Sequence, residues 1–283
     1  MRIRKASALA AAVLALSLTA TACGSEDGDE NGDGGSSGDG GGESLSIGIK
    51  YDQPGLGQQT PDGGYEGFDV DVATYIANEL GVSEDNIEWV EAPSPDREAM
   101  LQRGDVDFIV ASYSISDERK QQVDFAGPYF LAHQDLLVRA DEGDITEEDV
   151  NDMTLCSVTG STSAQNVQDS IAPDANLQNF STYSECLPAL QNGTIDALTT
   201  DDSILAGYAA QDQYQGQFKL AGLNLSDEHY GVGVPKGETQ LRDDINAALE
   251  KMVSDGSWDT AVEENFGPAN YENEPAPEIT ETD

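Results

Sequence analysis

The chain has 283 residues, of which 54 are acidic and only 13 are Lys or Arg, for a formal net charge of −41 at pH 7. That balance excludes a nucleic-acid binder, because phosphate contacts need a basic surface, and it excludes adsorption to anionic lipid. The acids are scattered, which reads as a solvated surface whose self-repulsion makes stability depend on salt.

Residues 1–22 have the pattern of an export signal. Arg2, Arg4 and Lys5 form a positive start, Ala8 to Leu18 is a short apolar run, and Leu18-Thr-Ala-Thr-Ala-Cys23 ends in small residues and a cysteine. The run is short for a bilayer span, and the ending resembles a lipobox in which Cys23 takes up lipid and becomes the mature N-terminus. Loss of three positive residues then takes the charge from −41 to −44. Residues 23–44 are nearly all Gly, Ser, Asp, Glu and Asn, a composition that buries no apolar surface and predicts a flexible tether.

From Leu45 the pattern becomes globular. Leu45 to Ile49 alternates as a strand, and Phe68 to Leu80 carries apolar residues at helical spacing up to Gly81. Ile87–Val90 is predicted as a strand, Pro95–Arg103 as a helix closed by Gly104, and Val106–Ala111 as a buried strand. Asp135–Arg139 opens a new strand, after which the pattern restarts. Strands are predicted at Thr154–Val158, Leu177–Phe180, Ile195–Thr199, Phe218–Ala221 and Tyr230–Val234. Helices are predicted at Thr162–Ile171, Tyr183–Gln191, Ser203–Gln211, Glu238–Asp255 and Trp258–Phe266.

This is an α/β chain with two mostly parallel units. It predicts one lobe from residues 45–136 and 230–266, a second from 137–229, and two crossing strands near Asp135–Ala140 and Asp227–Gly233. Residues 267–283 read as a loose acidic tail. Cys156 and Cys186 lie 30 residues apart. Outside the cell two such thiols pair, closing a loop that stabilises by roughly 3–4 kcal/mol in the chain-entropy model. The alternative is two unpaired buried thiols, and with no His nearby they make no zinc site.

Ligands of such sheets bind beyond the carboxyl ends of the strands, so the residues after each strand are the candidates. Lys50 follows the first strand. Ser112, Ser114 and Arg119 follow Val106–Ala111, Ser161 and Thr162 follow Thr154–Val158, and Asp201 follows Ile195–Thr199. A guanidinium grips a carboxylate two-on-two. The N–H groups at Ser161–Thr162 open a helix and favour an anion. Asp201 accepts from an ammonium group, and Lys50 pairs with a second anion. Arg97 sits in a first helical turn, where a cation opposes the dipole, and it rivals Lys50 for that second anion. Together these groups describe an acidic amino acid. Plainer readings are a surface ion pair of Arg119 with Asp117 or Glu118, an N-cap role for Asp201, a solvated Lys50 and a merely capped turn at Thr159–Thr162.

Four segments carry a family resemblance: Gly67-Phe-Asp-Val-Asp-Val-Ala73, Leu101-Gln-Arg-Gly-Asp-Val-Asp107, Ile115-Ser-Asp-Glu-Arg119 with Val123-Asp-Phe125 and Pro128-Tyr129, and Gly193-Thr-Ile-Asp-Ala197 with Thr200-Asp201. As a set they resemble the extracytoplasmic solute-binding proteins of polar-amino-acid ABC importers, family 3. Lys50-Tyr-Asp-Gln-Pro-Gly-Leu-Gly57 with the Cys156/Cys186 pair looks like the actinobacterial glutamate-binding lipoproteins among them.

The resemblance implies a periplasmic-binding-protein-like fold, two α/β lobes on a two-strand hinge with a ligand cleft between them. It implies that Arg119, Ser114 and Thr162 hold an α-carboxylate, that Asp201 and the Ser112 carbonyl hold an α-ammonium, and that Lys50 faces the ligand side chain. Ser94 departs from the pattern, since many relatives place an aromatic there. The implied protein is a monomer without cofactor or catalysis. It is held to the outer face of the cell membrane by its lipid alone, and it carries L-glutamate or a close analogue to ABC permease subunits. A sensor subunit, or a small dehydratase or hydrolase on the same scaffold, is the alternative.

Overall fold

The computed structural model describes residues 44–282. The predicted signal, the predicted lipidation site Cys23 and all of the predicted tether but its last residue lie outside these residues. Among those described, no helix is long and apolar enough to cross a membrane.

Strand β1 (Leu45–Ile49) leads through a small antiparallel meander at Asp52–Gln53, Gly57–Gln59 and Tyr65–Glu66 into helix α1 (Phe68–Glu79). Helix α1 buries Phe68, Val72, Ala73 and Ile76 against the sheet, as their spacing requires. Its start is fixed by Gly67 at φ 121°, where a Cβ would lie 2.2 Å from the Leu56 carbonyl oxygen. Then come β2 (Ile87–Glu91), α2 (Arg97–Arg103), β3 (Phe108–Ile109), a single turn α3 (Asp117–Lys120) and the 16-residue β4 (Asp124–Arg139). The second unit follows as β5 (Thr154–Val158), α4 (Thr162–Asn166) widening into a π-turn, β6 (Asn176–Phe180), α5 (Cys186–Gln191), β7 (Ala197–Asp201), α6 (Asp202–Ala210) and β8 (Phe218–Leu220). The chain returns through β9 (Asp227–Val234) and closes with α7 (Thr239–Ser254) and α8 (Ser257–Phe266).

The strands form one continuous path, β2-β1-β3-β9-β4-β7-β5-β6, with β8 also on β4. The pairs β1–β2, β1–β3, β5–β7 and β5–β6 are parallel. Strands β4 and β9 run antiparallel to their neighbours. From Asp124 to His133, β4 pairs with β9, whereas from Gln134 onward it pairs with β7 and β8. The crossing therefore falls at His133–Gln134, slightly before the expected Asp135–Ala140. The returning segment crosses beside it, where Gln134 N–H donates to the Ser226 carbonyl and Leu225 N–H to that of Gln134.

Three expectations need correction. The predicted strand Val106–Ala111 contributes only Phe108 and Ile109 to the ladder, because the chain turns away toward a left-handed Ser112, φ 46°. The strand expected to open at Asp135 begins instead at Asp124 and continues through Gly127-Pro128. The tail from Gly267 is docked rather than loose. Tyr271 stacks near Phe266 and Phe130, Ile279 packs on the core, and the Thr280 and Glu281 N–H groups both donate to the Gly127 carbonyl. Its acids find scarce cations, as Glu281 does 2.7 Å from Lys120; average composition hid these few anchors. Cys156 on β5 and Cys186 on α5, both buried, form the expected disulfide.

Candidate functional site

The carboxyl ends of β1, β3, β5 and β7 converge on one small cavity between the two halves of the sheet. Gln53, Ser94, Arg97, Ser112 and Arg119 line it from the first half; Ser161, Thr162, Ser163, Tyr183, Asp201 and Ile204 line it from the second. Its lining is almost entirely polar.

Arg119 enters on the one-turn helix α3, whose start Ser116 caps by accepting from the Arg119 N–H. Its guanidinium donates to the Ser114 carbonyl at 2.7 Å and to the Gly160 carbonyl at 3.3 Å, lies 3.4 Å from Glu98 Oε1 and packs over the Tyr113 ring. It is buried and contacts neither Asp117 nor Glu118 as a surface pair would. Arg97, the first residue of α2, is also buried against Tyr113. Its Nε donates to the Ala92 carbonyl, and among the described residues its two terminal nitrogens meet no carboxylate. Burial, and after it the nearby Arg119, lower its pKa. A guanidinium in this position is costly unless an anion joins it.

Across the cavity stands Asp201, 3 % exposed, at the junction of β7 and α6. Its carboxylate makes no capping bond to α6; Asp202 accepts from the Ser203 N–H instead. Asp201 accepts from Tyr230 Oη at 2.6 Å and Ser163 Oγ at 3.3 Å. Burial and then the Glu228 charge push its pKa well above the ordinary carboxylate value, with no cation beside it among the described residues to reverse this.

The Thr159–Thr162 loop opens α4, where the Ser161 hydroxyl accepts from Ala164 N–H as an N-cap. Gly160, φ 75°, lets this loop close on the other half: a Cβ there would lie 2.9 Å from Pro95 Cα. Thr162 Oγ1 donates to Glu228 at 3.0 Å and lies 3.2 Å from Ser114 Oγ. Further bonds cross the cleft from Gln165 to Glu118 and from Ser184 and Tyr208 to Asp52. The two halves are closed on each other.

Six of the eight predicted ligand residues line this cavity: Arg97, Ser112, Arg119, Ser161, Thr162 and Asp201; Ser114 does not line it but accepts from Arg119 through its carbonyl. Lys50 does not line it. Its ammonium is 1 % exposed and lies 3.0 Å from Asp52 Oδ1. Sequence reading missed Glu98, Glu228, Gln53 and Asp69. Asp69 left a signal, an acid inside the apolar run Phe68-Asp-Val-Asp-Val72 of a helix face that must be buried.

Residues 45–268 match the bacterial extracellular solute-binding proteins, family 3. The chain belongs to that family. It is 47% identical over 278 residues to the glutamate-binding protein GluB of Corynebacterium efficiens, spanning 94% of this chain and 92% of that one. It is 37% identical over 264 residues to the ABC transporter glutamine-binding protein GlnH of Bacillus subtilis, spanning 91% and 95%. An ancestral arginine-binding protein bound to glutamine superposes with a TM-score of 0.72 at 35% identity, over 79% of this chain and 98% of that one. The fold is accordingly that of periplasmic-type binding proteins, two lobes around a ligand cleft, and the family places the protein outside the cytoplasm.

Proposed function

We propose that this protein captures glutamate, or a closely related acidic amino acid, and delivers it to an ABC permease. The carrying observation is the charge layout of one closed cavity: two buried guanidiniums, Arg97 and Arg119, on one side and a buried carboxylate, Asp201, on the other. Arg119, with the hydroxyl and N–H of Thr162, takes the α-carboxylate, while the Ser161 N–H is spent on the Val158 carbonyl. Asp201 and the Ser112 carbonyl take the α-ammonium. Arg97 takes the side-chain carboxylate, the role for which Lys50 was the rival, because Arg97 faces the cavity and Lys50 is already paired. The relatives' names, glutamate-binding and glutamine-binding, support a five-carbon ligand.

Ligand contacts to both lobes exist only when the lobes meet, so binding draws the population toward closure. Lipidation at Cys23 keeps the monomer within a tether's reach of the membrane and its permease. Binding without turnover is the reading here: the chain has two histidines, His133 and His229, and neither lines the cavity. Titration calorimetry of ligand-stripped protein against the proteinogenic amino acids tests the proposal. Glutamate is expected to bind tightest and to be recovered unchanged. Tenfold tighter binding of a neutral or cationic amino acid, or conversion of the ligand, would overturn it.

A further inference from the structure

Asp69 lies outside the cavity, yet it is fully buried at the start of α1 with no ion-pair partner among the described residues. Two of its three side-chain hydrogen bonds run to Ser112, in one wall of the site. Asp69 Oδ2 accepts from Ser112 N–H at 2.8 Å and from Ser112 Oγ at 3.2 Å, while Oδ1 accepts from Tyr129 Oη at 2.7 Å. The same Ser112 hydroxyl lies 2.9 Å from Gln53 Oε1, a second cavity residue. Ser112 holds φ 46°, a conformation that non-glycine residues avoid unless their surroundings impose it. No donor among the described residues reaches its carbonyl oxygen, although the residue is buried at the cavity wall.

A buried carbonyl without a donor awaits one, and what holds it there is the grip on the N–H and hydroxyl of the same residue. We infer that Asp69 is a positioning residue: it fixes Ser112 in the left-handed turn that presents the Ser112 carbonyl to the ligand's ammonium group. The inference rests on the proposed reading of that carbonyl as an ammonium acceptor. It adds a residue that never touches the ligand, on helix α1, to the machinery of amino-acid selectivity. Tyr129 completes the device by meeting the carboxylate oxygen that Ser112 leaves free.

The test is the ratio of affinities for glutamate and glutarate, which differ by the α-ammonium, measured by competition calorimetry on wild type, Asp69→Ala, Asp69→Leu, Asp69→Asn and Ser112→Ala. Wild type should prefer glutamate by at least tenfold; equal affinities would defeat the ammonium reading itself. Asp69→Ala or Asp69→Leu, whichever gives a cooperative melt, should lose most of that preference, about tenfold for one charged hydrogen bond. Glutarate affinity should stay within about threefold. Asp69→Asn, whose amide oxygen can still receive both Ser112 donors, should keep the preference. Ser112→Ala, which spares the N–H bond, should lose part of it and decides the matter if neither apolar variant folds. A residue with a merely structural role would lower stability and both affinities together and leave the ratio intact, and that result would overturn the inference.

Discussion

Lys50 and Arg97 are the same kind of object in the sequence, scarce cations next to strand ends in a chain dominated by acid, and both are almost wholly buried. The fold treats them differently. Lys50 turns to Asp52, whose Oδ1 makes no aligned hydrogen bond and depends on that ammonium. Asp52 in turn receives Ser184 and Tyr208 from the second lobe. Among the described residues Arg97 meets a backbone carbonyl and the Tyr113 ring but no carboxylate, and it opens into the cavity. One buried cation closes the protein on itself; the other is left for a ligand. The difference teaches that burial of a charge does not locate a site, whereas burial of a charge without a partner does.

The largest expected effect separates the two on stability. Lys50→Met removes one partner of a buried pair and should cost about 3–5 kcal/mol in urea unfolding, with the glutamate-to-glutamine preference unchanged. A fall in that preference would return Lys50 to the binding site. Arg119→Ala should weaken glutamate and glutamine alike by at least tenfold, since both ligands present the same α-carboxylate; calorimetric values within threefold of wild type would remove Arg119 from the clamp.

Asp201→Asn tests the opposite wall and has a pH signature. In the ligand-free fold the Asp201 pKa is raised by burial above its ordinary 3.8. An acid raised in this way contributes stability below its unfolded pKa and loses it as pH rises through the folded value. The ligand-free variant should therefore melt close to wild type near pH 4 and above it near pH 7, while its glutamate affinity at neutral pH drops about tenfold. A neutral-pH melt below wild type would contradict the unpaired charge. The smallest effect concerns the surface: between low and molar NaCl the melting temperature should rise as self-repulsion is screened. An unchanged value would mean that the scattered acids do not strain the fold.

Much of this was legible beforehand because it rests on local rules. The strands at Leu45–Ile49 and Thr154–Val158 follow from alternation and flanking turns, and the α1 helix follows from apolar spacing and its glycine end. Arg119, Thr162 and Asp201 were found because chain topology sends strand ends to a crevice. Contacts that join distant segments stayed hidden. Nothing near Lys50 in sequence distinguishes Asp52 as its partner from the many other acids. Ser112's dependence on Asp69 spans 43 residues, and the docking of the tail relies on a handful of side chains among many exposed ones. An N-cap role for Asp201, the plainer alternative, falls because its carboxylate makes no capping bond to α6.

The most direct test of the account is calorimetry of wild type and Arg97→Met with glutamate and glutamine under identical conditions. If Arg97 reads the side-chain carboxylate, the variant should lose glutamate affinity by tenfold or more, lose little for glutamine, and bring the two ligands close to parity. A variant that keeps the wild-type preference for glutamate would contradict the division of labour between the two buried cations.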